Sequence, residues 1–590
     1  MNFGEFEILG NKVILKIKNR ICENADELLG SALFLQVLKH CIKDLQRHNS
    51  YLLGIFDGNK INSINIEMLV KTLNFLAKMT GDLIPNVEKG SEIFFKDKDL
   101  FNEFVDYLYN YWRSFDRFII CESSENNQEE RPYRIFNNTI EQLTNIVRAV
   151  YRDIQENITG THPRIYRQVT AGAEIASIAV PKEIPFGAAE YEKLNSISLI
   201  RQILIHPPLI LNQKMNTRTG KFERVSENPF KKINLNHGEW LCYPAKVGEL
   251  IILIYFHQRF SELGYSLCNL FELAEDEDLN KKPDAVYCYG VDRKDIEGMG
   301  KNVTVFYEDQ ANDMMVGAVP NDDEFGYFGY LKKMVLTLYN VIMIKRGALP
   351  FHGALLKIIL PGNKNATMLI MGDSGAGKSE TIEAMRDLGK DEIQDMIIIA
   401  DDMGSIKIDS NNDVIGYGTE IGAFLRLDDL KAGYAFGQID RAIIMSPNKV
   451  NARIVLPVTT FERLISGHKI DYILYANNYE ELDEDHQIIE QIDTPEKSLQ
   501  IFREGTVMSK GTTTSTGLVH SYFANVFGPY QYKEEHDKLA KRYFEKFHGK
   551  DIFIGQMRTR LGISGYERSG PEEAAKKLLE IIKSRVIRFY

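Results

Sequence analysis

Cysteine is scarce: six in 590 residues, at 22, 41, 121, 242, 268 and 288, with no C-x-x-C pair and no zinc-ligand spacing. That pattern excludes a disulfide framework and a zinc ribbon, and reads as buried thiols in a reducing compartment. Long hydrophobic runs are missing too. The most apolar stretches, GELIILIYF and MVLTLYNVIMI, are about half the length needed to cross a bilayer. The opening MNFGEFEILGNKVILKIKNR has no apolar core of a signal peptide. A cytoplasmic location without a membrane partner is therefore expected. Positive charge is in deficit, with 71 Lys and Arg against 82 Asp and Glu. This argues against a nucleic-acid partner and leaves room for a local basic pocket.

What is present suffices for substantial cores and two or three domains, since 44% of the residues are hydrophobic. Residues 1–160 read as a helical N-terminal extension, because ADELLGSALFLQVLKHCIKDLQRH, NIEMLVKTLNFLAKM, LFNEFVDYLYNYWRSFDRFI and TIEQLTNIVRAVYRDI repeat apolar residues every three to four positions. Their apolar faces must be covered, by the rest of the chain or in a homo-oligomer. The aromatic stripe from Phe101 to Phe118 reads as core or interface. Residues 161–320 look mixed α/β, with strands at GELIILIYF, AVYCYGV and NVTVFYED. In residues 321–590 short strands such as MIIIA, SIKID, RAIIMS, RIVLPV and DYILYA alternate with turns, and the chain closes on the helix GPEEAAKKLLEIIKSRVI. Strands so closely spaced leave little room for repeated βαβ units.

The chemistry centres on TMLIMGDSGAGKSETIEAM. Residues 372–379 fit G-x-x-x-x-G-K-[ST] at every fixed position, between an apolar strand pattern and a helical one. In such a loop Gly372, Gly375 and Gly377 let the backbone curl, so that N–H groups of Asp373, Ser374, Ala376 and their neighbours face a phosphate. The helix end through Glu380 adds positive potential. Lys378 would reach the outer phosphates and Ser379 would offer its hydroxyl to a divalent ion. A strand pattern ending in Asp401 and Asp402 follows, supplying acids for Mg2+ or for proton transfer. Upstream, His352 stands between apolar runs. Lys332 and Lys333 also lie in an apolar stretch, where a lysine needs an anion or a lowered pKa.

Taken together, YFGYLKKMVL, ALPFHGALL, GDSGAGKSE, ADDMGS and EIGAFLRL resemble the catalytic half of phosphoenolpyruvate carboxykinases, most closely the ATP-dependent class, over about 325–530. The resemblance implies a two-lobed mixed α/β fold with a P-loop, residues 161–320 forming the substrate side and 321–590 the nucleotide-binding catalytic lobe. It implies that Tyr327 lies near oxaloacetate and that Lys332, Lys333, His352, Lys378, Asp401, Asp402 and Arg453 are catalytic. Lys333, His352 and Asp402 would hold Mn2+, and Ser379 the Mg2+ of the nucleotide. Glu420 and Arg426 fall on the family's glutamate and phosphate-contacting lysine. The implied reaction converts oxaloacetate to phosphoenolpyruvate and carbon dioxide, a step of gluconeogenesis. ATP is the implied donor, with GTP and pyrophosphate open. FREGTVMSKGTTTSTG resembles the family's lid, with Gly505, Thr506, Lys510, Gly511 and Thr512 at matching positions. The substrate signature threonine-glycine-arginine-serine-proline-lysine is absent; MNTRTGKFERV offers Arg218 in its place. GQMRTRLG offers Arg558, Thr559 and Arg560 for the base. The loop wording also resembles the bacterial HPr kinase/phosphorylase, which shares the fold and phosphorylates a protein serine. A kinase acting on a protein or another small molecule is the alternative.

Overall fold

The computed structural model describes every residue except 1–4, 18–19, 59–60, 123–135, 167–168, 219–220, 363, 389–391, 428–429, 431–435, 485, 511–515 and 589–590; the side chains of 436, 510, 516 and 586–588 are also outside the description. Gly511 and Thr512 thus lie outside the described residues. The chain is mixed α/β and divides into two compact units, residues 1–183 with 196–209, and residues 184–195 with 210–590. Residues 321–590 therefore share a unit with 210–320.

In the first unit helices Ala32–Arg47, Ser63–Leu76 and Lys98–Arg113 start where Ser31, Asn62 and Asp97 accept backbone N–H bonds. Their apolar stripes, with Phe136–Thr159, converge on Leu38, Leu73, Phe101 and Phe104. The helical reading of this region is incomplete. Strands Glu5–Leu9, Lys12–Ile17, Asp116–Glu122, Ile175–Val180 and Leu199–Ile205 form a sheet, paired in that order. The segment DRFIICE, read as the end of a helix, is one of them. It follows the helix cap at Ser114, and six of its seven residues are buried, too many for one stripe of a surface helix.

In the second unit, strands Leu250–His257, Ala285–Val291 and Met314–Pro320 run parallel to one another, flanked by the antiparallel strands Trp240–Val247 and Val305–Asp309. The helix Phe328–Lys345 buries every residue except Lys333 and Lys345, as its all-round apolar sequence requires. A second sheet runs in the order His468–Lys469, Val414–Gly418, Asp395–Ile408, Leu349–Leu360, Lys364–Met371, Tyr472–Asn477, Phe553–Arg558 and Ile489–Gln491. Its centre is antiparallel and only the contacts of Tyr472–Asn477 are parallel, so it is no doubly wound parallel sheet. Strands Gly422–Arg426, Arg453–Pro457 and Ile443–Met445 pair antiparallel in a third sheet.

Candidate functional site

Register brings the chemistry together. Strand Leu349–Leu360 lies between the strand that feeds the glycine-rich loop and the strand that carries the aspartates. Gly353 pairs with Met371 on one side and Asp402 on the other, so His352 falls between the loop and the acids. The amide of Gly372 donates to the His352 carbonyl at 3.2 Å. The aspartates do not end their strand: MIIIA and SIKID form one strand, Asp395–Ile408, with the pair in its middle. A regular strand would send two successive side chains to opposite faces. Asp402 sits at φ +105° yet keeps its pairing with Gly353, so the chain kinks there without leaving the sheet; the ladder's register shift lies further back, where Leu355 pairs with Ala400 and Leu356 with Ile398.

The charges around this kink are dense. Lys332, 1% exposed, places Nζ 2.5 Å from Asp402 Oδ2 and 3.1 Å from Glu420 Oε2. His352 Nε2 stands 3.0 Å from Asp402 Oδ1. Burial would raise the Asp402 pKa, yet Lys332 and His352 outweigh it and hold the carboxyl well below its ordinary value. Asp401 moves the other way, pushed up by burial and by the charge of Asp402. Glu420 rises to about 8, through burial and the nearby acids, against the pull of Lys332.

The two lysines take the two alternatives open to a buried amine. Lys332 has its anions. Lys333, half-buried over the Phe527 ring at 4.8 Å, falls to about 8, first through burial and then through the charges of Arg218, Lys332 and Arg453. It is Lys332, rather than the expected metal ligand Lys333, that bonds to Asp402.

Those cations mark a second cluster. Arg453 and Arg426 pair across adjacent strands. Arg453 stacks over Phe424 at 5.2 Å and keeps its buried Nε without a hydrogen bond. Tyr327, buried, places its ring 6.1 Å from the same Phe424. Arg218 lies over Phe222 at 5.0 Å, close enough to Tyr327, Tyr330 and Lys333 for their charges to interact.

The glycine-rich loop has the expected turn. Gly375 and Gly377 adopt φ +79° and +93°, and helix Lys378–Leu388 starts at its end. Lys378 Nζ folds back on the carbonyls of Gly372 at 2.5 Å and Asp373 at 3.0 Å. Ser379 is exposed, and Glu380 follows in the first turn. Thr559 holds the Ala376 carbonyl at 2.7 Å, while Arg558 pairs with Glu480 and Glu490, and Arg560 with Glu573.

Several positioning residues escaped the sequence reading. Asn478 donates to the carbonyls of Gly375 and Met508 and accepts the amide of Met508, tying the loop to the hairpin strand Thr506–Lys510. Ser521 donates to Asp373 at 3.1 Å. Phe523, Ala524 and Asn525 take left-handed conformations in succession, and the Ala524 carbonyl meets His352 Nδ1. Holding Nδ1 on this carbonyl fixes the ring so that Nε2 faces Asp402. A polar Asn478 just past an apolar strand was a readable signal. Left-handed Phe523 and Ala524 gave none.

Among the described residues no three His, Cys, Asp or Glu side chains converge as a metal site. A metal here would need His352 Nε2, Asp402 Oδ1 and the Lys333 amine, whose lowered pKa suits a nitrogen donor. Two nitrogens and one carboxylate oxygen are a donor set that a divalent transition ion accepts, without selecting one metal over another. No family model matches this chain, and no curated protein matches it.

Proposed function

We propose that this protein is a nucleotide-dependent phosphoryl-transfer enzyme of the phosphoenolpyruvate carboxykinase kind, acting on oxaloacetate. The observation that carries the reading is the cation cluster of Arg218, Lys333 and Arg453 around Tyr327 and Phe424, joined through Lys332 and Asp402 to His352 beside the glycine-rich loop. An anionic substrate with carboxylates answers the first cluster, and a polyphosphate answers the loop. Lys378, drawn off the Gly372 and Asp373 carbonyls, would pair with the outer phosphates of ATP. Arg453 and Arg426 would offset charge on the group in transit. In the reaction the bond to the departing carboxylate breaks, its electron pair forms an enolate, and the enolate oxygen attacks the terminal phosphorus as the bond to ADP breaks. A divalent metal on His352, Asp402 and Lys333 would supply Lewis acidity at the substrate oxygens. Lys332 keeps Asp402 ionised and Ala524 keeps Nε2 of His352 turned inward. Tyr327 and Phe424 wall the cluster from water, which would quench the enolate or take the phosphoryl group.

The raised pKa of Asp401 favours the second reading, a kinase for a hydroxyl group, because a poised carboxylate there would suit a general base. One experiment separates the two. Protein with manganese and oxaloacetate is given ATP or GTP, or in reverse phosphoenolpyruvate and bicarbonate with ADP, GDP or phosphate, and products are followed by mass spectrometry. Phosphoenolpyruvate that disappears in His352→Ala supports the carboxykinase. No interconversion with any donor, together with phosphate incorporated into a protein or another metabolite, rejects it for the kinase.

A further inference from the structure

The glycine-rich loop alternates in hand. Gly375 and Gly377 take φ +79° and +93°, while Ala376 between them keeps a negative φ. Backbone of alternating hand gathers successive N–H groups into a concavity for an anion. Glycine permits that conformation without selecting it, because it visits either sign of φ about equally. Two fully buried side chains from outside the loop, Asn478 and Thr559, hold it. Asn478 Nδ2 donates to the Gly375 carbonyl at 2.8 Å. The same carboxamide donates to the Met508 carbonyl at 2.9 Å and accepts the Met508 amide at 2.7 Å. This two-point bond fixes which end of the carboxamide is nitrogen and leaves its other proton for the loop. Thr559 Oγ1 donates to the next carbonyl, that of Ala376, at 2.7 Å, with the Asn477 carbonyl further off at 3.3 Å. A trans peptide is planar, so its C=O and N–H point opposite ways. Holding the Gly375 carbonyl therefore sets the Ala376 N–H, which closes a turn on the Asp373 carbonyl at 3.1 Å. Holding the Ala376 carbonyl turns the Gly377 N–H away from Thr559.

We propose that Asn478 and Thr559 are positioning residues of the phosphate site, fixing two successive peptide planes of the loop before a phosphate chain arrives. The proposal rests on the reading that this loop binds a phosphate chain, and it assigns part of the affinity to two residues outside the motif. Calorimetric titration of the full-length protein, with magnesium and well below its melting temperature, compares ATP with inorganic tripolyphosphate, which carries no base. Thr559→Val keeps the shape and removes the hydroxyl. Asn478→Asp keeps the acceptor for the Met508 amide and removes both donations. Each should weaken both ligands by the same factor, about fivefold or more, because a bond to the loop is lost and a peptide plane is released. Thr559→Ser restores the hydroxyl without the methyl and should bind within twofold of the unaltered protein, a rescue that a packing role for Thr559 would not give. Three results overturn the proposal: unchanged affinity in either folded variant, equal weakening in Thr559→Ser, or a loss confined to ATP. If one substitution prevents folding, the other decides. Failure of the unaltered protein to bind either ligand rejects the phosphate reading of the loop and this proposal with it. Binding that survives both substitutions rejects this proposal alone.

Discussion

At the residue scale, two lysines separate function from stability. The side-chain hydrogen bonds of Lys378 go to two loop carbonyls and to no carboxylate, so Lys378→Met should leave the melting temperature nearly unchanged. Turnover should fall on the order of 10²–10⁴-fold, because a cation is lost where negative charge develops. A kcat within threefold of the unaltered protein would refute its role. Lys332 is the opposite case. Lys332→Met leaves Asp402 and Glu420 facing each other without their cation, and breaking a buried pair typically costs about 3–5 kcal/mol. Urea unfolding should show that loss. His536 gives a pH test. It is buried, with Nδ1 at 2.9 Å from the Tyr522 hydroxyl, and burial lowers its pKa to about 4. The unfolded chain binds its proton near pH 6.5, the folded chain only near 4. Its contribution is therefore complete above 6.5 and lost as pH falls from 6.5 to 4, by at most about 3 kcal/mol. His536→Asn should flatten the stability-against-pH slope in that window; an unchanged slope would assign the acid loss to other groups.

At the element scale, the glycine-rich loop shows how little of a motif is interchangeable. A Cβ at Gly375 meets nothing within 4 Å, so Gly375→Ala bears only the backbone strain of φ +79°, about 1–2 kcal/mol. At Gly377 the same atom would lie 2.5 Å from the Thr559 hydroxyl oxygen, which bonds the Ala376 carbonyl. Gly377→Ala should therefore displace Thr559, lower thermal stability more than Gly375→Ala, and abolish ATP binding in calorimetry. Equal effects of the two substitutions would show that backbone conformation alone limits the loop. The sequence made this element legible, because glycine spacing reports directly on left-handed φ. It left the aspartate strand half-read. A run of ADDMGS looks like a strand end, and only pairing with Leu349–Leu360 on the ladder carries the chain through the kink at Asp402.

At the scale of the whole molecule, each unit has a core of its own, one around Leu38, Leu73 and Phe101, the other including Leu356, Ile370 and Leu474. Two cores predict two calorimetric transitions. ATP with magnesium should raise only the transition of the unit that contains the glycine-rich loop, by a mass-action increment that grows with ligand concentration. A single transition, or equal shifts of both, would show that the units unfold as one.

The sequence by itself determined the glycine-rich loop, the acids that follow it, the lysine pair, and the helices whose apolar period is strong. These are local properties, set by backbone conformation and by burial of one face. Only the tertiary structure decided which lysine meets Asp402. Lys332 and Lys333 are neighbours of identical chemistry, and the facing of helix Phe328–Lys345 buries one against carboxylates and leaves the other among cations. The strands of the first unit were likewise decided by partners far along the chain: Lys12–Ile17 pairs with Asp116–Glu122 across some hundred residues, a contact that no local period records.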